Sequence, residues 1–206
     1  YGNVKRGQIK NPYHPSIYGV GYNGVGRHIT KKGSDRKMYN TWLSALERSY
    51  CEKWHLKQPT YIECTTDEFW YNFQNFGDWY EENFNPEFMQ GWELDKDILC
   101  KGNKVYSSST CCFVPHEINT LFTRRDKARG DFPIGITKTP QGKYRAILSK
   151  NSRHFDLGTY KTVEEAFHAY KVGKELWIKE VADKWRGQIT EPCYQAMYAY
   201  KVEITD

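Results

Sequence analysis

Six cysteines, six histidines, a glycine-rich stretch and thirty lysines and arginines are the parts of this 206-residue sequence from which chemistry can be built. The cysteines are Cys51, Cys64, Cys100, Cys111, Cys112 and Cys193. No CxxC pair occurs among them, whereas structural zinc sites draw on closely spaced thiolate pairs, so they read as free thiols of a reducing compartment and not as a structural Zn²⁺ site. The stretch Tyr18-Gly-Val-Gly-Tyr-Asn-Gly-Val-Gly26 has the glycine content of a phosphate-binding loop. It lacks the Lys-Ser/Thr ending of such loops, and no apolar strand precedes it, so it reads as a loop or hairpin. Arg27, Lys31, Lys32, Arg36 and Lys37 follow, and cations in such a cluster can rest on a phosphate backbone. Of the histidines, His14, His28, His55, His154 and His168 have no chemical constellation around them in sequence. His116 lies three residues before Asn119, a spacing that puts both on one helix face.

The charge is patterned. Thirty basic against 25 acidic residues give a net charge of +5, too small to name a partner. Residues 1–50 carry +7, residues 51–93 carry −7, residues 94–122 balance, and residues 123–190 carry +7. Two basic segments around an acidic one fit a nucleic-acid ligand, and the acidic segment 51–93 is a candidate surface for a basic protein partner. Aromatic residues make up 16%, enough for a packed core. No apolar run reaches membrane-spanning length, and Tyr1–Lys10 has no apolar segment of signal-peptide type, so the expectation is a cytoplasmic protein without a membrane partner. The Tyr at position 1 suggests that the natural start lies upstream.

Periodicity supplies the elements that must position these residues. Met38, Trp42, Ala45/Leu46 and Ser49 predict a helix over Met38–Tyr50. Thr65/Thr66 followed by Glu68 reads as a helix start, and Phe69, Phe73, Phe76 and Tyr80 predict an amphipathic helix over 67–82. Short β segments within 92–115 flank a Gly102-Asn103 turn as a two-stranded ribbon, and a helix containing Asn119 follows from His116 to Phe122. The charged stretch Arg124-Arg-Asp-Lys-Ala-Arg129-Gly is the domain boundary, giving domains 1–125 and 126–206. Beyond it, three strands (134–137, 143–148, 153–160) precede a helix opened by the capping box Thr162-Val-Glu-Glu165 and running to about Trp185. Glu191-Pro192 reads as a break, and Tyr198–Ile204 as a closing strand. The fold class expected is therefore α+β.

Residues 132–185 resemble an APETALA2-type DNA-binding domain through Pro133-Ile-Gly-Ile136, Tyr144-Arg-Ala-Ile147, Leu157-Gly-Thr-Tyr160 and Glu164-Glu-Ala-Phe-His-Ala-Tyr170. That resemblance implies a three-stranded antiparallel sheet packed on one helix, with double-stranded DNA as partner. Strand alternation sends Tyr144, Ala146 and Leu148 to one face and Lys143, Arg145 and Ile147 to the other. The face of Lys143 and Arg145, joined by Lys138, Lys150 and Arg153, would meet the major groove. Arg145 is the candidate base reader, because a guanidinium binds guanine O6 and N7 together.

Residues 17–122 resemble an amino-terminal region of phage-encoded HNH-like (His-Me finger) proteins. The matching pieces are Ile17-Tyr-Gly-Val-Gly21, Tyr39-Asn-Thr-Trp-Leu43 with Arg48-Ser-Tyr50, Leu94-Asp-Lys-Asp-Ile98, Gly102-Asn-Lys-Val-Tyr-Ser107 and Cys111-Cys-Phe-Val-Pro115 with Ile118-Asn119. This implies a ββα-metal-like nuclease domain and a homing or nicking endonuclease acting in the host bacterial cytoplasm. In that pattern Asp95 is the strand carboxylate, Asn119 the helical metal ligand and Asn103 the residue orienting the loop, with Mg²⁺ or Mn²⁺ on oxygen ligands. The sequence departs from the family where a general-base histidine follows the first aspartate, because Lys96 stands there. A lysine is largely protonated near neutral pH and a poor base unless burial or a metal charge depresses its pKa. Three readings stay open: Lys96 as a tuned base or a transition-state cation, another group such as Asp97 or His116 as base, or a degenerate nuclease that only binds DNA as a regulator or host-interference factor.

Overall fold

The structure, a computed structural model, describes residues 11–29, 34–122, 131–151 and 153–205. The chain divides into two compact units, Tyr1–Phe113 and Val114–Asp206. The expected boundary between 125 and 126 falls outside the described residues, as do Lys31 and Lys32. The class is α+β, with six α-helices and three small sheets among the described residues.

The first unit is built on helix α1 (Ser34–Tyr50), whose residues Met38, Trp42, Ala45, Leu46 and Ser49 are all buried, as the spacing requires. After the short α2 (Glu52–Lys57), the expected helix over 67–82 is interrupted. Thr65–Thr66 form strand β1, Glu68–Tyr71 form a 3-10 turn capped by Asp67, and α3 (Phe73–Asn83) starts only after Asn72. The glycine-rich arm causes the break. Tyr22 N–H donates to the Tyr71 carbonyl and Phe73 N–H to the Tyr22 carbonyl, both at 2.9 Å, which holds Asn72 extended. The Asn72 side chain then caps α3 by accepting from Gln74 N–H at 3.1 Å. Phe69, expected in the core, lies on the turn and is exposed.

The core of this unit is aromatic. Trp42, Trp70, Phe73 and Phe76 are wholly buried, and Trp79 stacks on Phe113 at 5.5 Å between ring centroids. Burial leaves indole N–H groups seeking acceptors, and Trp42 finds the Trp70 carbonyl at 2.6 Å. The glycine-rich arm is pinned to this core at two close approaches. At Gly24, with φ +68°, a Cβ would meet the Asn72 side chain at 2.2 Å. At Gly77 on α3, a Cβ would meet the His28 ring at 2.4 Å.

The expected ribbon around Gly102-Asn103 is rearranged. Strand β2 (Glu93–Asp95) pairs with β4 (Cys112–Val114), while β3 (Val105–Tyr106) pairs in parallel with β1. The β3 segment is drawn away because Thr65 and Asp67 donate to the Lys104 and Tyr106 carbonyls at 2.8 and 2.9 Å.

In the second unit α4 (His116–Phe122) is followed by an antiparallel sheet in the order β5 (Ile136–Lys138), β6 (Tyr144–Lys150), β7 (Arg153–Tyr160). Helix α5 (Val163–Lys184) packs on one face of it. The capping box forms in full: Thr162 accepts from Glu165 N–H and Glu165 accepts from Thr162 N–H, each at 3.2 Å. The segment after Pro192 is not a closing strand. Thr190 caps α6 (Glu191–Ala199), with Pro192 in its first turn, a position where the missing N–H costs nothing. Asp183 fastens α6 to α5 by accepting from the Tyr194 and Tyr198 hydroxyls at 2.8 Å.

Candidate functional site

Three of the residues expected around a nuclease centre meet in one turn. Asp95 ends β2, and its Oδ1 accepts the backbone N–H groups of Asp97 and Ile98 at 2.7 and 2.8 Å. Burial raises the Asp95 pKa, against the lowering effect of those two amides. Lys96, 7% exposed, donates from Nζ to the Asp97 carboxylate and to the Asn103 carbonyl at 3.1 Å. Its ammonium also lies 5.9 and 5.8 Å from the ring centroids of Tyr61 and Tyr106. Asn103 closes the turn by donating to the carbonyls of Lys96 and Val105 at 2.8 and 2.7 Å. So Lys96 and Asn103 work on the backbone of this turn, and one oxygen of Asp95 does the same. Cys111, behind the turn, has its thiol pushed up to about 12 by burial, which makes it a poor thiolate donor.

His116 and Asn119 lie on α4, in the second unit. Their helix is secured within that unit through Glu117, which accepts from Lys184 Nζ and from Trp185 Nε1 at 2.8 Å. Among the described residues no group of three or more His, Cys, Asp or Glu is arranged to hold a metal ion.

The cations expected to contact DNA separate by sheet face. Pairing aligns Thr137 with Arg145, Arg145 with Thr159, Ile147 with Asp156 and Ser149 with His154. Residues directly opposite share a face, so these form the outer face, away from α5. Lys143, one step before β6, has the parity of Arg145. Lys138, Lys150 and Arg153 do not: Lys138 aligns with Tyr144, and Lys150 with Arg153, in register with buried Ala146 and Leu148. The ion pair of Lys150 with Glu180 on α5, at 2.8 Å, fixes its side. The expectation that these three join Arg145 is corrected by the two-residue period of the strand.

On the outer face Arg145 donates from Nε and Nη2 to the same Asp156 oxygen, at 3.0 and 2.8 Å. That hydrogen bond holds the guanidinium pKa above and the Asp156 pKa below their ordinary values. The Ser149 hydroxyl lies 2.8 Å from His154 Nδ1. Sequence analysis did not assign Asp156 and His154, which regular pairing from Lys150 and Arg153 places opposite Ile147 and Ser149; a bulge at Leu157 follows them.

Arg27, the remaining expected DNA contact, is engaged elsewhere. It pairs with Asp78 and Glu81 on α3 at 3.0 and 2.8 Å, beside a buried His28 whose Nε2 lies 2.9 Å from Asp78. This quartet also occupies part of the acidic segment 51–93 that was the candidate protein-docking surface. No described helix is long and apolar enough to cross a membrane. No family model, curated protein or solved structure matches the chain.

Proposed function

We propose that the protein binds double-stranded DNA through the outer face of the β5–β6–β7 sheet, with Arg145 as the base reader. One observation carries this reading. Asp156 engages the Nε–Nη2 side of the Arg145 guanidinium, which orients the group and leaves its terminal Nη1–Nη2 edge for a second planar partner. That edge is the one that grips guanine O6 and N7, and a carboxylate beside it can accept from cytosine N4. A narrow antiparallel sheet fits the major groove, which is about 12 Å wide. Selection from a random duplex library tests this directly. A recovered site should lose roughly 10- to 100-fold in affinity with Arg145→Ala, while random duplex loses less. Equal losses on both would reduce Arg145 to a phosphate contact.

A second reading, a metal-dependent endonuclease, is favoured by one feature: only Oδ1 of Asp95 accepts the two turn amides, which leaves Oδ2 for another ligand. Under this reading Asp95→Ala abolishes Mg²⁺-dependent nicking of plasmid DNA and leaves DNA binding in place. Nicking that survives the substitution removes Asp95 from the site.

A further inference from the structure

A cleft of about 450 Å³ runs along α1, lined by Arg36, Lys37, Asn40, Thr41 and Ser44. Among the described residues, its lining holds two cations, no carboxylate and three neutral polar side chains. Helical spacing puts these residues on one stripe. Between Arg36 and Ser44 the stripe is about 12 Å long at 1.5 Å per residue. Phosphates along one DNA strand recur every 3.4 Å or so of helix axis, so the stripe spans about three or four of them.

Several other described cations of the first unit are already committed, Lys53 and Lys57 on α2 excepted. Arg27 is held by Asp78 and Glu81, and Lys96 by Asp97. Arg48 lies over the Tyr61 ring, and Lys104 donates to the Thr60 carbonyl. On α1, by contrast, the side chains of Arg36, Asn40 and Ser44 have no hydrogen bond or ion pair to any described residue. The ammonium of Lys37 sits 4.2 Å above the Phe84 ring, a contact that steadies its stem without neutralising its charge. Burial lowers the Lys37 pKa. The Thr41 hydroxyl is spent on the Lys37 carbonyl at 2.9 Å. Donors remaining on the stripe are therefore a guanidinium, an ammonium, an amide and a hydroxyl, a set that matches phosphodiester oxygens and offers no base-specific pattern.

We propose that this α1 stripe is a second DNA contact, which grips the phosphodiester backbone of duplex DNA without reading sequence. The proposal deepens the DNA-binding function above and rests on it. The stripe contributes affinity and salt dependence, while the sheet contributes discrimination.

The test uses the full chain and a random-sequence duplex, with dissociation constants measured by fluorescence anisotropy between 50 and 200 mM salt. Each lost phosphate contact flattens the plot of log K against log salt by about 0.9, so Arg36→Gln with Lys37→Gln should flatten it by nearly 2 and weaken binding on the order of tenfold per cation at the lowest salt. Lys53→Gln with Lys57→Gln removes the same charge from exposed positions on α2 and should leave the slope unchanged. Asn40→Asp keeps both cations, puts a carboxylate between them and should also weaken binding. Equal slope changes for the α1 and α2 pairs would mean net charge alone acts, and would overturn the α1 assignment. An unchanged slope in the α1 pair would overturn it too, and leave the sheet reading to be judged by Arg145→Ala. Absence of duplex binding by the intact chain would overturn both.

Discussion

Lys96→Met separates a catalytic lysine from a structural one. Methionine keeps most of the stem volume, so the core loses little packing. What goes is the ammonium, and the structure gives its partners. The Asp97 carboxylate is about half exposed and rehydrates when released, so that ion pair contributes little, on the order of 1 kcal/mol or less. The Asn103 carbonyl loses a charged donor at 3.1 Å within a part-buried turn, at a cost of about 1–2 kcal/mol. The attraction to the Tyr61 and Tyr106 rings adds about 0.5 kcal/mol. The sum, about 2–3 kcal/mol, should lower the melting temperature of the first unit by on the order of 10 °C. Tryptophan fluorescence is a suitable readout, since Trp42, Trp54, Trp70, Trp79 and Trp92 belong to that unit. Lys96→Ala should cost more, because the buried stem is lost as well. A Lys96→Met protein that melts within about 1 °C of the parent refutes the structural assignment. If such a protein also loses Mg²⁺-dependent nicking of plasmid, Lys96 belongs to a catalytic centre.

Gly77→Ala should destabilise the first unit, because the new methyl meets the His28 ring at 2.4 Å; overpacking of about 1–3 kcal/mol opposes the roughly 1 kcal/mol gained from helix propensity, and His28→Ala should relieve it. Iodoacetamide under native conditions should label exposed Cys100 first and leave buried Cys64, Cys111, Cys112 and Cys193 unmodified until unfolding, as mass spectrometry of peptides would register. Thr162→Ala should lower second-unit stability by about 1 kcal/mol through loss of the α5 capping box, measured by urea denaturation. The Glu117 pKa is held down: burial alone would raise it, and the hydrogen bonds from Lys184 and Trp185 outweigh that. Its contribution to stability is therefore present above the ordinary glutamate range and lost as pH falls through the depressed value, so Glu117→Gln should flatten the acid limb of a stability–pH curve.

Elements with a strong period and a local start signal were legible in sequence. Helix α1 follows from Met38, Trp42, Ala45 and Leu46, and α5 from its capping box, because each is set by residues within a few positions of one another. Two of the misread segments were decided by distant contacts. Asn72 looks helical by its neighbours, yet Tyr22, fifty residues earlier, holds it extended. Val105–Tyr106 is drawn to Thr65–Thr66, and no local pattern marks a two-residue parallel pair. The turn at Asp95 was visible as Asp-Lys-Asp with Asn103 nearby, but whether those side chains serve a ligand or their own backbone depends on hydrogen bonds that composition does not encode. Likewise Arg145 could be assigned to a face by alternation, while its contact with Asp156 could not, since the bulge at Leu157 lies between Asp156 and Thr159, the residue that pairs with Arg145.

The same distinction changes what the segment charges mean. A count of +7 treats every lysine and arginine alike, but a cation already facing a carboxylate has little field left for a ligand. In the first unit Arg27 and Lys96 are spent in this way. In the second, Lys150, Lys171 and Lys184 are held by Glu180, Glu175 and Glu117. Removing them from the count lowers the outward charge without erasing it, since Lys53, Lys57, Lys138, Lys143 and Arg153, among the described residues, are exposed. Arg36 and Lys37 stand on α1, and Arg145 stands on the outer sheet face with one edge occupied. Under the proposed DNA-binding function, affinity should respond to salt less steeply than the total of thirty cations would suggest, because the paired ones release no counterions.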